Sequence, residues 1–238
     1  VATSSAGVMV SLGYPDGETI PFDEHLSAVR RIANVLSIPL SADAAAGFGV
    51  SPEEVVSSIR GFIEAGAVGI NIEDFAHSTK KLHSADRQVE KIKAIRQLGE
   101  SLKIPIVINA RTDALRYAEG DEEAKLTEAI RRGVAYRDAG ADCVYPMGLT
   151  DLATISTFVN ALDFPVNVMI RKGLPPIHQL ESLGVRRVSF GPSASYSAMG
   201  LLKRVSKEVL DKGTYDTLTE GAISYDELNS LAAPKKEE

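Results

Sequence analysis

One cysteine in 238 residues, Cys143, excludes an internal disulfide and any cluster built on several thiolates. No run of about eighteen apolar residues is present to span a bilayer, and no basic-then-apolar leader precedes the first strand-like run. Positive charge is short as well: 26 Lys and Arg against 32 Asp and Glu leave a net charge of −6. That balance speaks against nucleic acid or an anionic membrane as partner, while leaving room for a local basic pocket. His25, His77 and His178 show no metal-ligand spacing and read as surface or helix residues. No Gly-rich dinucleotide turn follows the first strand. What remains is an ordinary globular composition, 44% hydrophobic and 24% charged, sized for one large α/β domain or two small ones. The expectation is a cytoplasmic enzyme.

The chain is organised around Ala65–Phe75, AGAVGINIEDF, where an apolar run leaves a Gly turn and stops at Glu73 and Asp74. A short β-branched run of this kind predicts a strand buried on both faces, with its carboxylates at the rim of a sheet or barrel. Asp74 is better read as the N-cap of the next helix, and Glu73 as the functional acid. Pro entries at IPLSAD, IPIVINAR and FPVNVM, and Gly turns before VGINIED, ADCVYP and VRRVSF, predict seven strands. They begin near Val1, Ile38, Val68, Pro105, Asp142, Pro165 and Arg186. Amphipathic helices fill the gaps, over about 23–36, 51–65, 86–103, 121–139, 150–162, 175–183 and 196–211.

Strict βα alternation implies parallel strands and a (β/α)8 TIM-type barrel; an open doubly wound sheet is the alternative. Seven strands do not close an eight-stranded barrel, and Val1 already lies in a strand-like run. The first β/α unit is therefore expected to be missing from this chain. The barrel is assigned to 1–215, and 216–238 to a C-terminal helix around Ser224–Ala232 with the charged tail PKKEE.

In a barrel the chemistry sits at the C-terminal strand ends, here Thr3-Ser4-Ser5, Asp43, Glu73, Arg111, Asn167 and Ser189. Two carboxylates suit Mg²⁺, which takes oxygen ligands and keeps several waters. Arg111 could hold a substrate acid group with its fork. The structural alternatives are a buried, satisfied Asp43 and an Arg111–Asp113 ion pair. The corner SFGPSAS (189–195) supports a competing class, a metal-free barrel isomerase or synthase for phosphorylated metabolites. A non-catalytic ligand-binding barrel is a third.

Taken together, SLGYPDGE (11–18), SADAAAGFG (41–49), AGAVGINIED (65–74) and INARTDA (108–114) resemble the phosphoenolpyruvate mutase/isocitrate lyase superfamily. The resemblance implies a Mg²⁺-dependent (Mn²⁺ as substitute) (β/α)8 barrel that makes or breaks C–C or P–C bonds beside a 2-oxo acid. It implies a pyruvate-enolate-like intermediate, a small 2-oxo acid, dicarboxylate or phosphonate substrate, and a homo-oligomer built as a dimer of dimers. By position, Asp43 and Glu73 match metal-shell acids, and Asp16 matches an acid near metal and substrate. Ser4, Ser5 and Ala6 match the segment holding the substrate acid group, Arg111 the substrate-binding arginine and Asn167 a polar residue near the anion.

Two departures stand out. Ala45 replaces a second metal-shell acid, and HSTKKLHSADRQ (77–88) lacks the lyase Cys-Gly-His and the mutase asparagine, where Lys80 stands. Lys80 as anion binder and His83 as proton donor, on a mobile lid, remain candidates. The expected activity is a C–C lyase, with a P–C bond enzyme as the alternative, and Arg111→Ala is expected to abolish turnover while sparing the fold.

Overall fold

The run at the centre of the sequence forms strand β2 (Ala67–Glu73) of the computed structural model, which describes residues 1–233. β2 pairs in parallel on one side with β1 (Leu40–Asp43) and on the other with β5 (Val107–Thr112). β5 continues in parallel to β6 (Cys143–Pro146), closing a sheet of order β1-β2-β5-β6. A parallel bridge, Val144 to Val166, carries the arc on to β7 (Asn167–Met169) and β8 (Arg187–Ser189). Between β2 and β5, the two-residue strands β3 (Phe75–Ala76) and β4 (Lys81–Leu82) form a small antiparallel hairpin.

The helices alternate with the barrel strands: α2 (Phe22–Val35), α3 (Pro52–Glu64), α4 (Ala85–Leu102), α6 (Glu122–Asp138), α7 (Leu152–Leu162), α8 (Ile177–Ser182) and α9 (Ser193–Lys212). Three short ones were not expected: α1 (Ser5–Ser11), α5 (Ala114–Tyr117) and α10 (Asp216–Thr219). The tail helix α11 (Tyr225–Ala232) is where the sequence places it, and PKKEE lies outside the described residues.

The start signals act as their chemistry predicts. The Ser51 hydroxyl accepts the Glu54 N–H at 3.2 Å, the Glu54 carboxylate accepts the Ser51 N–H at 3.0 Å, and Pro52 opens α3. Asp121 and Asp151 cap α6 and α7 in the same way. The core lies between strands and helices, with Ile70, Ile72 and Ile108 of the strands and Ile92, Ile95 and Phe158 of the helices fully buried.

The expected strand at Val1 is reduced to one bridge, Ala2 to Ser41, flanked by Ser41 N–H to Val1 C=O (2.8 Å) and Thr3 N–H to Ser41 C=O (3.0 Å). It ends early because Ser4 caps α1, its hydroxyl accepting the Gly7 N–H. This is the first edge of the arc and β8 is the last; among the described residues no β-bridge joins them. The arc nonetheless curls back on itself, for a Cβ built on Gly7 of α1 would lie 3.0 Å from Ser195 Oγ of α9. The architecture is thus a parallel α/β fold of the barrel type with one seam unbonded.

Candidate active site

Inside the curl lies a cavity of about 950 Å³, walled by the ends of β1, β2, β5, β6, β7 and β8 and by residues 1–6. Asp43, Asp16, Ser4, Ser5, Ala6, Arg111 and Asn167 all line it, as do Gly191 to Ser193 of the phosphate-like corner.

Asp43, at the end of β1, is gripped by donors of this chain. Its Oδ2 accepts the Ser5 N–H and hydroxyl, both at 2.8 Å, and its Oδ1 accepts Asn71 Nδ2 at 2.9 Å. Asn109 Nδ2 donates in turn to Asn71 Oδ1 at 2.9 Å, so a polar row crosses β1, β2 and β5 at one level. The Ser5 groups expected to hold a substrate acid are therefore occupied by Asp43. Ser4 and Ala6 stand beside them on the cavity wall.

Glu73 is placed differently from the expectation of a metal-shell acid. Its side chain is buried, is not part of the cavity wall, and divides its oxygens between His77 Nε2 (2.5 Å) and Arg111 Nη1 (2.6 Å). Arg111 also makes a bidentate pair with Asp113, Nε to Oδ2 at 2.7 Å and Nη2 to Oδ1 at 3.0 Å. The ion-pair alternative is thus realised, and Arg111 still faces the cavity. Three of its five N–H groups are engaged, leaving one on each terminal nitrogen. Burial alone would lower the Arg111 pKa, but the Glu73 and Asp113 carboxylates outweigh it and hold the guanidinium well above its ordinary value. Burial raises Glu73, against the pull of Arg111 and His77.

His77, expected as a surface or helix residue, lies in the turn after β3 and is half-buried on Glu73. The Glu73 hydrogen bond raises its pKa above 6.5 against burial, and the Glu18 and Asp16 carboxylates raise it further. A raised folded value means that the protonated form is the one the fold favours. The stabilisation is complete below about pH 6.5 and is lost as pH rises through the higher folded value. His77→Gln should lower the melting temperature distinctly at about pH 6 and much less at about pH 9; an equal loss at both would remove the charge from the account.

The loop after β1 is clamped from outside. Glu18 Oε1 accepts the N–H groups of Ala46 (3.0 Å) and Phe48 (2.9 Å), and buried Lys91 donates to the Ala46 C=O at 2.9 Å. Burial lowers the Lys91 pKa to about 8. Ala45 and Phe48, both non-glycine, are held here at positive φ (48° and 50°). His25 lies in helix α2, one of the two placements expected of it, but is fully buried behind this loop against Phe48 and Phe62, and burial lowers its pKa.

Two candidates fall away from the cavity. Lys80 is exposed at the tip of the β3–β4 hairpin (φ 54°), and neither it nor His83 is part of the wall. Burial, with Lys91, Arg87 and Arg132 nearby, lowers His83 to about 4, so at neutral pH it is an uncharged imidazole and not an imidazolium acid. Asp74 caps no helix; the next residues form β3. Its buried carboxylate accepts the Asp113 N–H (2.9 Å), Arg132 Nη1 (2.9 Å) and the Tyr136 hydroxyl (2.6 Å).

Fold and site together define an α/β-barrel enzyme whose rim sets carboxylates against arginine. The phosphoenolpyruvate phosphomutase family matches residues 1–210, and the chain belongs to it, within the phosphoenolpyruvate mutase/isocitrate lyase superfamily. The chain is 32% identical to the 2-methylisocitrate lyase of Escherichia coli (strain K12), over 95% of this chain and 79% of that one. It is 30% identical to the oxaloacetate decarboxylase of Chromohalobacter salexigens, over 92% and 72%. Among solved structures, oxaloacetate acetylhydrolase with its product oxalate superposes with a TM-score of 0.83 at 26% identity, covering 97% of this chain and 80% of that one.

Proposed function

We propose that this lyase makes or breaks a C–C bond next to a small 2-oxo acid, with Mg²⁺ (or Mn²⁺) held on the Asp43 side of the cavity. The observation that carries the reading is the convergence of Asp43, Asp16 and a fully charged Arg111 on one cavity wall.

Asp43 and Asp16 present oxygen only, flanked by serine and asparagine, and among the described residues the Asp16 carboxylate is engaged only by the Gly17 N–H. Among the described residues no group of three or more acid, His or Cys side chains surrounds one point. Two carboxylates suit an ion that keeps most of its waters, so the residues fit Mg²⁺, with Asp43 and Asp16 as its holders. When bound, the ion supplies Lewis acidity where charge develops on the 2-oxo oxygen.

The chain's own residues do the rest. Arg111 offers its two remaining N–H groups to the substrate acid group, and the clamp of Glu73 and Asp113 fixes them before substrate arrives. Glu73 acts through Arg111 and not on the ion. Ser4 and Ala6 border the same subsite, and Asn167 places an amide opposite. Lys80 and His83 have no part in this reading.

The exposed apolar side chains of α9–α11, among them Leu210 (84% exposed) and Tyr225 (82%), support a homo-oligomer docked through residues after about 193; that it is a dimer of dimers rests on the family resemblance alone. Among the described residues no helix is long and apolar enough to cross a membrane. The lone, buried Cys143 thiol accords with a cytoplasmic enzyme.

The test is pyruvate release from oxaloacetate, substituted malates and phosphonopyruvate. We expect release from a carboxylic substrate, lost on chelation and restored by Mg²⁺. Release from phosphonopyruvate alone would move the enzyme to P–C chemistry, and release that survives chelation would remove the metal.

A further inference from the structure

A lyase that breaks a C–C bond must put a proton on the carbon it frees. His83, the proton donor expected from the sequence, lies off the cavity wall. Among the described residues, the wall carries no histidine, lysine or cysteine. Its arginines do not give up a proton, and Asp43 and Asp16 are committed to the ion as carboxylates. Serine and threonine hydroxyls are weaker acids than a phenol. Two phenols line the cavity, Tyr145 and Tyr196, and Tyr196 is 54% exposed on α9. Tyr145, in β6, is only 5% exposed.

Strand register sets Tyr145 beside Arg111. The two pair directly across β5 and β6, and Arg111 Cζ stands 5.8 Å from the centre of the Tyr145 ring. Neighbouring strands lie about 4.8 Å apart, so a three-carbon acid anchored on Arg111 can reach across to the phenol. The hydroxyl is free to meet it. It donates to Met147 Sδ at 3.5 Å, and a thioether is a weak acceptor that yields to a better one. Met147 lines the cavity too, as does Ser189, whose side chain also reaches the hydroxyl.

Burial raises the phenol above its ordinary value; Arg111 pulls the other way, and the Asp43 and Asp113 carboxylates raise it further. The hydroxyl therefore keeps its proton at neutral pH until a base as strong as a carbanion appears. The Arg111 charge steadies the phenolate that is left.

We propose that Tyr145 is a further catalytic residue, the donor of the proton that quenches the freed carbon. Written for oxaloacetate, the C3–C4 bond breaks and carbon dioxide leaves. The electron pair of that bond stays with C3, shared with the 2-oxo oxygen as an enolate. C3 then takes the proton of the Tyr145 hydroxyl to give pyruvate. The phenolate takes a proton from water, and the hydroxide so formed combines with carbon dioxide as bicarbonate. This rests on the lyase reading of the same cavity and supplies the proton that its chemistry requires.

The test is Tyr145→Phe, which keeps the ring over Arg111 and removes the acid. With Mg²⁺ present, kcat for pyruvate release from oxaloacetate, corrected for the enzyme-free rate, should fall about 100-fold or more while KM stays within about threefold. The melting temperature should stay within about 3 °C, because a bond to a thioether is all that the fold loses. Tyr196→Phe should keep kcat within about twofold. Stereochemistry separates a proton donor from a ring that only packs. In D2O, the wild type should convert 3-methyloxaloacetate to 2-oxobutanoate deuterated on one face of C3. The variant should deuterate both faces, because solvent quenches its enolate. A variant kcat within about threefold of wild type would overturn the assignment, as would a lowered kcat with one-face deuteration intact. Two-face deuteration by the wild type would overturn it as well, and that result needs no variant to fold. A wild type silent on every carboxylic substrate removes the lyase reading and this role with it. An active wild type matched by Tyr145→Phe removes the role alone.

Discussion

Arg111→Ala loses at least about 100- to 1,000-fold in turnover, the scale of removing one preorganised donor from developing charge. It also costs the fold about 3–5 kcal/mol, because Glu73 and Asp113 are left as buried carboxylates without their cation. The second half corrects the sequence-level expectation that this substitution would spare the fold. The motif INARTDA shows that Arg111 and Asp113 are near neighbours, but not that Glu73, on another strand, leans on the same guanidinium. Arg111→Lys separates the two effects. It keeps a positive charge near both acids, so less stability is lost, yet an ammonium cannot span Glu73 and Asp113 while presenting a fork to substrate. Urea titrations with pyruvate assays at matched folded fraction read both. Turnover within tenfold of wild type in the lysine variant would show that Arg111 is structural alone.

Asp74→Ala is expected to destabilise by about 3–5 kcal/mol without touching the chemistry of whatever remains folded. Three donors converge on this carboxylate: Asp113 N–H after β5, and Arg132 and the Tyr136 hydroxyl, both from α6. Arg132 Nη1 reaches on to the His83 C=O, so the hub ties β2, β5, α6 and the end of the β3–β4 hairpin together. Burial and the Asp74 charge hold the Tyr136 hydroxyl well above its ordinary pKa, so it remains a donor. Without the acid, Arg132 keeps Glu128 but loses its buried partner. Because Asp74 does not line the cavity, kcat per folded molecule should stay near wild type at low temperature. A melting temperature within about 2 °C of wild type would show that the hub contributes little.

Much of the framework was legible because its signals are local. Ser51-Pro52-Glu53-Glu54 is a cap wherever it occurs, and Pro entries with Gly exits mark short parallel strands. The expected helix limits accordingly fall within a few residues of those observed. The missed features are non-local. Asp74 looked like a cap because an acid after a strand often is one; its partners are 58 and 62 residues further on. The Glu18 clamp spans 28 and 30 residues and leaves no spacing to read. Two signals were there to be weighed: Asn71 and Asn109 interrupt apolar runs, which a strand buried against helices alone would not favour, and Arg187 sits inside a strand. Both mark strand positions that face a polar cavity.

Ala45 offers a last consequence. Its residue is buried, its φ is 48°, and its amide lies 3.4 Å from Asp43 Oδ1. An acid at this position would add a second negative charge beside Asp43, a repulsion that a bound cation would relieve. Alanine removes that repulsion. Glu18 and Lys91 hold the loop from behind, so the cavity end of β1 is set by the chain's own contacts, and under the proposed function removing the ion with a chelator is expected to leave the fold standing.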